Sequence, residues 1–402
     1  MNTEYRLFLC LAEFVGSLQL FFLIGRYICV MKKFAAILLI LGVFVTFHAC
    51  QDDPMDIPDD NRGDLTDIAY EPEFVDPPRP PGYPEMVIPE DNPLTEAGIE
   101  LGRHLFYDPI LSRDSTIACA TCHFPSAVFS DNNTLAIGID GQVSPRSSMS
   151  LLDVGFFNNG LFWDGRAETL EEQVPDPIVN PLEMHAVIPD VINDLQVHSD
   201  YPTMMRKAFG INNTDEISID HVSKSVSQFM RMITSSGTSK YDRVFAPGSL
   251  ELFSDEELNG YDMFFDISFD VPDAECGHCH NAPLFTTNQF FNNGLQEDQG
   301  NLTFADNGRG KITGRRIDNG KMRAPSLRNI ALRTPYMHDG SLKTLEEVVD
   351  HYDSGGHPAE NRDPLIRPLG LTEEQKSDLI AFLHTLTDTA AINNPRLSNP
   401  FQ

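Results

Sequence analysis

Two short runs carry the most specific chemistry in this chain: Cys119-Ala-Thr-Cys122-His123 and Cys276-Gly-His-Cys279-His280. Each holds two thiols three residues apart, followed at once by an imidazole. Thiols at that spacing share one turn of chain and match the separation of two porphyrin vinyl groups, to which they can add covalently. The adjoining His then reaches iron as an axial ligand. One such run could arise by chance; two, each with three specified residues, make a strong signal. The four thiols could instead form an all-thiolate zinc site or disulfides in an exported protein. Against zinc, each pair is followed directly by His and the pairs lie far apart in sequence. Against disulfides, thiols so close together pair badly unless the site is redox-active. Two covalent c-type haems are the expectation, with His123 and His280 as proximal ligands.

Something must hold these runs in place, and the chain is long enough to do it. Its 402 residues allow two or three domains at roughly 150 residues each. Apolar content and charge are those of a globular protein. The net charge of −30 makes nucleic acid and anionic membrane surfaces poor partners. A basic electron carrier would be favoured, because opposite fields speed encounter. Of seven cysteines, four are in the two runs; Cys10, Cys29 and Cys50 precede the folded part.

Met31-Lys32-Lys33 followed by the apolar run Phe34 to His48 reads as a signal peptide. It ends in Ala49-Cys50, like a bacterial lipoprotein signal in which the Cys is lipidated and becomes the new N-terminus. Residues 1–49 are therefore read as an upstream extension plus signal peptide, with Met31 as the true start. The rival is a membrane helix at the N-terminus, although Glu13 and Arg26 interrupt that apolar stretch. Residues 50–84, rich in Pro and Asp, read as a flexible tether. The protein is expected to be exported, as a periplasmic or outer-membrane-anchored lipoprotein, in a compartment that also suits haem attachment.

The remainder divides into two similar units, 85–240 and 241–402. Each has a helix, then a C-x-x-C-H run, then a long stretch ending in another helix. Gly98, Gly102, Leu105 and Phe106 fall at helical spacing before Cys119; Gly260, Phe264 and Phe265 do so before Cys276. Small residues there let a second helix cross closely. Ser254-Asp-Glu-Glu257 is a capping box, and Thr169, Thr344 and Thr372 open the same pattern. A further helix is predicted over Asp220 to Thr234. Leu379, Phe382, Leu383 and Leu386 make one apolar stripe on the last helix. Residues 285–322 read as loop. The expected fold is mainly α, with two cytochrome c-like haem domains packed together and few strands.

Four further runs appear in order: Phe162-Trp163-Asp164-Gly165-Arg166, Asn180-Pro181-Leu182-Glu183-Met184, Pro325-Ser326-Leu327-Arg328-Asn329 and Pro335-Tyr336-Met337-His338-Asp339-Gly340. Together with the haem runs, this pattern resembles the bacterial dihaem cytochrome c peroxidase family. That family includes the dihaem enzyme that matures methylamine dehydrogenase. The resemblance extends roughly from Pro84 to Leu386. It implies that the N-terminal haem meets hydrogen peroxide and the C-terminal haem relays electrons from a donor.

The resemblance also assigns residues. Glu183 matches the distal acid that moves a proton between the peroxide oxygens, with Gln173 a polar neighbour; a solvated loop carboxylate is the alternative. Trp163, the single tryptophan, matches a residue bridging the haems; a core aromatic is the alternative. Tyr352 falls where many members carry a Met ligand to the second iron, and the maturation enzyme has Tyr there. Leu345, Val348, Val349 and Tyr352 form one helical stripe, so the Tyr faces inward. A core Tyr, with Met337 or nothing as ligand, is the rival reading. His338 matches a His near the second haem. Calcium is expected at Ser147, Arg333 and Pro335, where carbonyl oxygens suit the ion. Two features depart from the family. No His lies between His123 and Trp163, so the first iron would be open without prior reduction, His185 being the nearest substitute. No second Trp lies near Cys276, which weighs against the specific maturation activity.

The expected function is a dihaem cytochrome c peroxidase that reduces hydrogen peroxide to water. Partners would be peroxide, a small electron-donor protein such as a cytochrome c, a membrane reached through the N-terminal lipid, and a second copy in a homodimer. The alternatives are a dihaem oxidase using peroxide-derived high-valent iron on a protein or organic substrate, and a non-enzymatic electron-transfer cytochrome.

Overall fold

The computed structural model describes residues 63–402. Met31, Cys50 and the expected signal segment lie outside the described residues. In chain order the helices are α1 (Glu96–Tyr107), α2 (Cys119–Cys122), α3 (Leu170–Gln173), α4 (Pro175–Val179), α5 (Ile188–Val197) and α6 (Tyr201–Phe209). They continue with α7 (Ile219–Met232), α8 (Lys240–Val244), α9 (Asp255–Phe265), α10 (Gly310–Thr313), α11 (Leu345–Ser354) and α12 (Glu373–His384). Among the described residues, strand structure is confined to one two-residue antiparallel pair, β1 (Phe290–Phe291) and β2 (Met322–Arg323), besides isolated bridges. The fold is mainly helical, as expected. The loop expected over 285–322 also holds β1, α10 and the first residue of β2.

Helix starts follow local chemistry. Thr95 caps α1 by accepting from the Gly98 amide at 3.0 Å. Ser254 and Glu257 satisfy each other's backbone N–H groups at the start of α9, as do Thr372 and Gln375 at α12. At Thr169 and Thr344 only half of the box forms. The side-chain hydroxyl caps the helix, but Glu172 and Glu347 accept from the residue before the cap.

Two large apolar cores result, beside a small cluster of Tyr83, Met86 and Phe156. The first gathers α1, α6 and α7 around Leu101, Leu105, Met205 and Phe229, all fully buried. The second gathers α9 and α12 around Met263, Phe285, Phe382 and Leu386. Each core contains the same close crossing. A methyl group on Gly102 of α1 would stand 1.9 Å from Ser225 O of α7. One on Gly260 of α9 would stand 2.0 Å from Asp378 O of α12. In both places the missing side chain lets backbone approach backbone.

Two stretches sit differently from expectation. From Gly63 onward the residues read as tether are fixed to the first core. Leu65 is buried, its amide donates to Asn212 O at 2.8 Å, and the Val75 amide donates to Leu94 O at 3.0 Å. The scattered apolar residues Leu65 and Tyr83 are buried in ways that composition alone does not reveal. At the other end, the chain leaves the second core after Leu386 and returns to the first. Ala391 and Leu397 are buried there, and Tyr107 Oη donates to Leu397 O at 2.6 Å. The C-terminal unit expected over 241–402 therefore loses its last segment to its neighbour.

Candidate active site at two cavities joined by Trp163

Cys119, Cys122 and His123 line one cavity of about 630 Å³. Cys276, Cys279 and His280 line a second cavity. The thiols are free and burial pushes each up to about 12. They are divided between the cavities, and among the described residues no three or more His, Cys, Asp or Glu side chains are grouped so that they could hold a metal ion. This geometry excludes the single zinc site and any disulfide joining the two runs.

Each imidazole is oriented by carbonyls. His123 Nδ1 lies 2.9 Å from Phe129 O. His280 Nδ1 lies 3.2 Å from Phe285 O and 3.0 Å from Pro325 O. A carbonyl can only accept, so Nδ1 carries the proton and Nε2 keeps its lone pair. Burial lowers the pKa of both rings, that of His280 to about 4. Paired thiols, a neutral Nε2 and a largely apolar wall fit a covalently tethered porphyrin in each cavity.

Glu183 lines the first cavity with Gln173. It stands on a tight turn after α4, where the Glu183 amide donates to Asn180 O at 3.0 Å and Asn180 Nδ2 donates to Glu183 Oε1 at 2.8 Å. Burial raises its pKa; Arg166 and the Asn180 bond oppose that. Gly138 makes room, since a methyl group there would meet Leu182 O at 2.2 Å. The Ile139 amide then reaches Glu183 O at 2.8 Å. His185 is exposed and its Nδ1 faces Arg113 Nη1 at 3.1 Å. His123 is the only histidine among the described residues lining this cavity.

Trp163 lines both cavities and is 5% exposed. Its indole Nε1 donates to Ser147 O at 2.9 Å. Ser147 in turn donates from Oγ to Met337 O and from its amide to His338 O, each at 2.8 Å. The residues flanking Trp163 are held just as closely. Arg166 stacks 3.4 Å over Phe162, and Asp164 accepts from Arg146 Nη1 at 2.7 Å.

In the second cavity, Leu345, Val348, Val349 and Tyr352 of α11 all line the wall, along with Met337 and His338. Asn293 Nδ2 donates to Tyr352 Oη at 3.2 Å and approaches Met337 Sδ at 3.6 Å. Burial pushes the phenol up to about 12. His338 Nε2 lies 3.3 Å from Gln296 Nε2, and its ring is 6.4 Å from that of Trp163.

Residues 96–249 match the family model described as di-haem cytochrome c peroxidase. The methylamine utilization protein MauG of Methylorubrum extorquens is 36% identical over 79% of this chain and 86% of its own. The chain belongs to the di-haem cytochrome c peroxidase family. Cytochrome c551 peroxidase of Nitrosomonas europaea is 33% identical over 75% of this chain and 82% of its own. A crystal structure of a MauG-like protein associated with microbial copper homeostasis has a TM-score of 0.74 and 34% identity, covering 81% of this chain and 99% of that one.

Family membership implies two c-type haems. Reasoning from sequence missed several residues that shape this dihaem architecture. Asn180 was noticed only as part of a motif, and Gly138 and Asn293 not at all. Their roles depend on approaches between segments distant in the chain. Nothing in their local sequence signals them.

Proposed function

We propose that the protein is a peroxidase that reduces hydrogen peroxide to water with electrons from a small redox protein. One haem would be held by Cys119, Cys122 and His123, the other by Cys276, Cys279 and His280. When bound, the haem irons supply the redox chemistry and the coordination site for peroxide. The remaining work falls to the chain. Glu183 takes a proton from one peroxide oxygen and returns it to the other, which then leaves as water. Asn180 aims the carboxylate, and burial brings its proton affinity toward the working range. Gln173 is a further polar group lining that cavity. Trp163 would carry electrons between the cavities, and Tyr352 would help to hold the second iron.

The observation that carries this reading is that Glu183 and Trp163 line the same cavity as the first C-x-x-C-H run, while Trp163 also lines the second. Steady-state peroxide consumption with a reduced cytochrome c tests it. Absence of turnover by protein holding both haems would reject the peroxidase reading.

Tyr352 favours a second reading, an oxidase acting on a protein or organic substrate, because a phenolate ligand stabilises oxidised iron. Such a protein would consume about one equivalent of peroxide and then retain its oxidising power until a substrate arrives.

Export, the lipid at Cys50 and a homodimer belong to the same proposal. Mass spectrometry of the native protein should find a chain beginning at modified Cys50; retained residues 1–30 would reject that start. Calcium is proposed at Ser147, Arg333 and Pro335. Its test is whether a chelator slows electron transfer between the haems.

A further inference from the structure

The second cavity is not uniformly apolar. Most of its wall is aliphatic or aromatic, including Phe264, Leu379 and Leu383 from α9 and α12 and Val348 and Val349 from α11. The wall bearing Trp163 is different. Arg323, Arg333 and His338 stand there. The Arg323 amide donates to Trp163 O at 2.9 Å, and the Arg333 guanidinium carbon lies 6.0 Å from the Trp163 ring centre.

These two arginines are also unlike their buried counterparts. Arg231 and Arg328 each meet a carboxylate, Glu171 at 2.6 Å and Asp242 at 2.7 Å. Among the described residues, the hydrogen bonds of Arg323 and Arg333 go only to neutral oxygens. Arg323 directs its donors to the carbonyls of Asn159, Gly160, Phe162 and Asn288 and to the Asn288 side chain. Arg333 gives Nε to Ser130 Oγ at 3.3 Å and Nη2 to Ser148 O at 2.8 Å. Asp131 and Asp164 act on them only through space, being bonded to Ser148 and Arg146. Arg323 and Arg333 are 2% and 6% exposed. A buried cation without an anionic partner is costly. Arg333 still has donors to offer, since a guanidinium carries five N–H groups.

We propose that Arg333 binds the carboxylate side chains of the second porphyrin, with Arg323, which lines both cavities, adding its charge, so that the carboxylate edge of the ring faces Trp163. This rests on the reading that a haem occupies the second cavity. A porphyrin has an apolar body and two carboxylates on one edge. The cavity has an apolar body and one cationic wall, and in such a site the carboxylates need a charged partner. The same guanidinium disfavours the ferric state, which carries one more positive charge than the ferrous. It therefore raises the potential of the relay haem, which suits a haem that must accept electrons from outside.

The experiment is a spectroelectrochemical titration of holoprotein with Arg333→Gln and Arg333→Lys, after haem content has been measured. With Gln, the oxidised-to-reduced ratio of the second haem at fixed potential should rise about tenfold, a fall of about 59 mV. Lys should restore most of that, and the first haem is expected to shift as well, because the Arg333 charge also acts on His123. An unchanged second midpoint in an Arg333→Gln protein carrying two haems overturns the proposal and leaves the peroxidase reading intact. Fewer than two haems in the parent protein would instead overturn the reading beneath it. If the Gln variant does not accumulate, Lys carries the test by resonance Raman. A shifted carboxylate-bending band supports the contact, because an ammonium cannot reproduce the fork. A band identical to the parent's rejects it.

Discussion

Asn293 donates its side-chain amide to the Tyr352 hydroxyl at 3.2 Å, and the same nitrogen is 3.6 Å from the Met337 sulfur. Both candidate sixth ligands of the second iron are thus gathered at one point. Tyr352→Phe is expected to remove the phenolate and change the low-spin EPR signal of that haem. A signal indistinguishable from the parent's would exclude Tyr352 as ligand. Asn293→Ala is expected to keep the ligand but lower the potential, because the lost N–H no longer draws charge from the oxygen.

Glu183→Gln should retain both haems and reduce peroxide turnover by about 10²–10⁴-fold, the usual contribution of a positioned acid–base group. The pH profile adds a sign. Burial raises the pKa of this carboxyl. The ionised form that begins the proton transfer therefore appears above the ordinary carboxylate range, and activity should climb there. Residual activity in the Gln variant should lack that rise. A parent profile that is flat across the interval would remove Glu183 from the mechanism.

Trp163→Phe should slow electron transfer between the haems while leaving both optical spectra in place. The indole lines both cavities and is anchored on Ser147 at 2.9 Å. Rapid mixing of half-reduced protein with peroxide measures the step directly. A rate equal to the parent's would reassign Trp163 to the core.

Gly102→Ala and Gly260→Ala should each destabilise folding by about 1–3 kcal/mol, as overpacked cores do. The added methyl would meet Ser225 O at 1.9 Å in one case and Asp378 O at 2.0 Å in the other. The two sites lie in different cores, so the costs should add. Chemical denaturation of the single and double variants checks both points.

The legible parts of this molecule were those in which chemistry is local. Ser254, Glu257, Thr372 and Gln375 mark helix starts because a cap and its partner are three residues apart. The stripe through Leu345, Val348, Val349 and Tyr352 shares one face because steps of three and four residues bracket one helical turn. Gly102 and Gly260 could be read as close crossings, although the partner helices could not. What escaped was non-local. Helices α5 and α6 begin at Ile188-Pro189 and Tyr201-Pro202 without a side-chain cap, so they carry no start signal of the kind used. Gly138 matters only because the Glu183 turn folds against it. The unpaired charges of Arg323 and Arg333 emerge only once every neighbouring carboxylate has been located.

The C-terminal segment gives the molecule one more property. Having left the second core at Leu386, it ends on α1 beside Tyr107 and Arg103, and Arg396 meets Glu96. Within the described residues, the backbone from Gly63 to Gln402 thus starts and finishes on the same lobe, with the other lobe suspended between as a closed loop. Such a topology discourages independent melting of the halves. It also means that a tag fused after Gln402 would emerge beside the helix that precedes Cys119, on the lobe far from it in sequence and not on the one it follows.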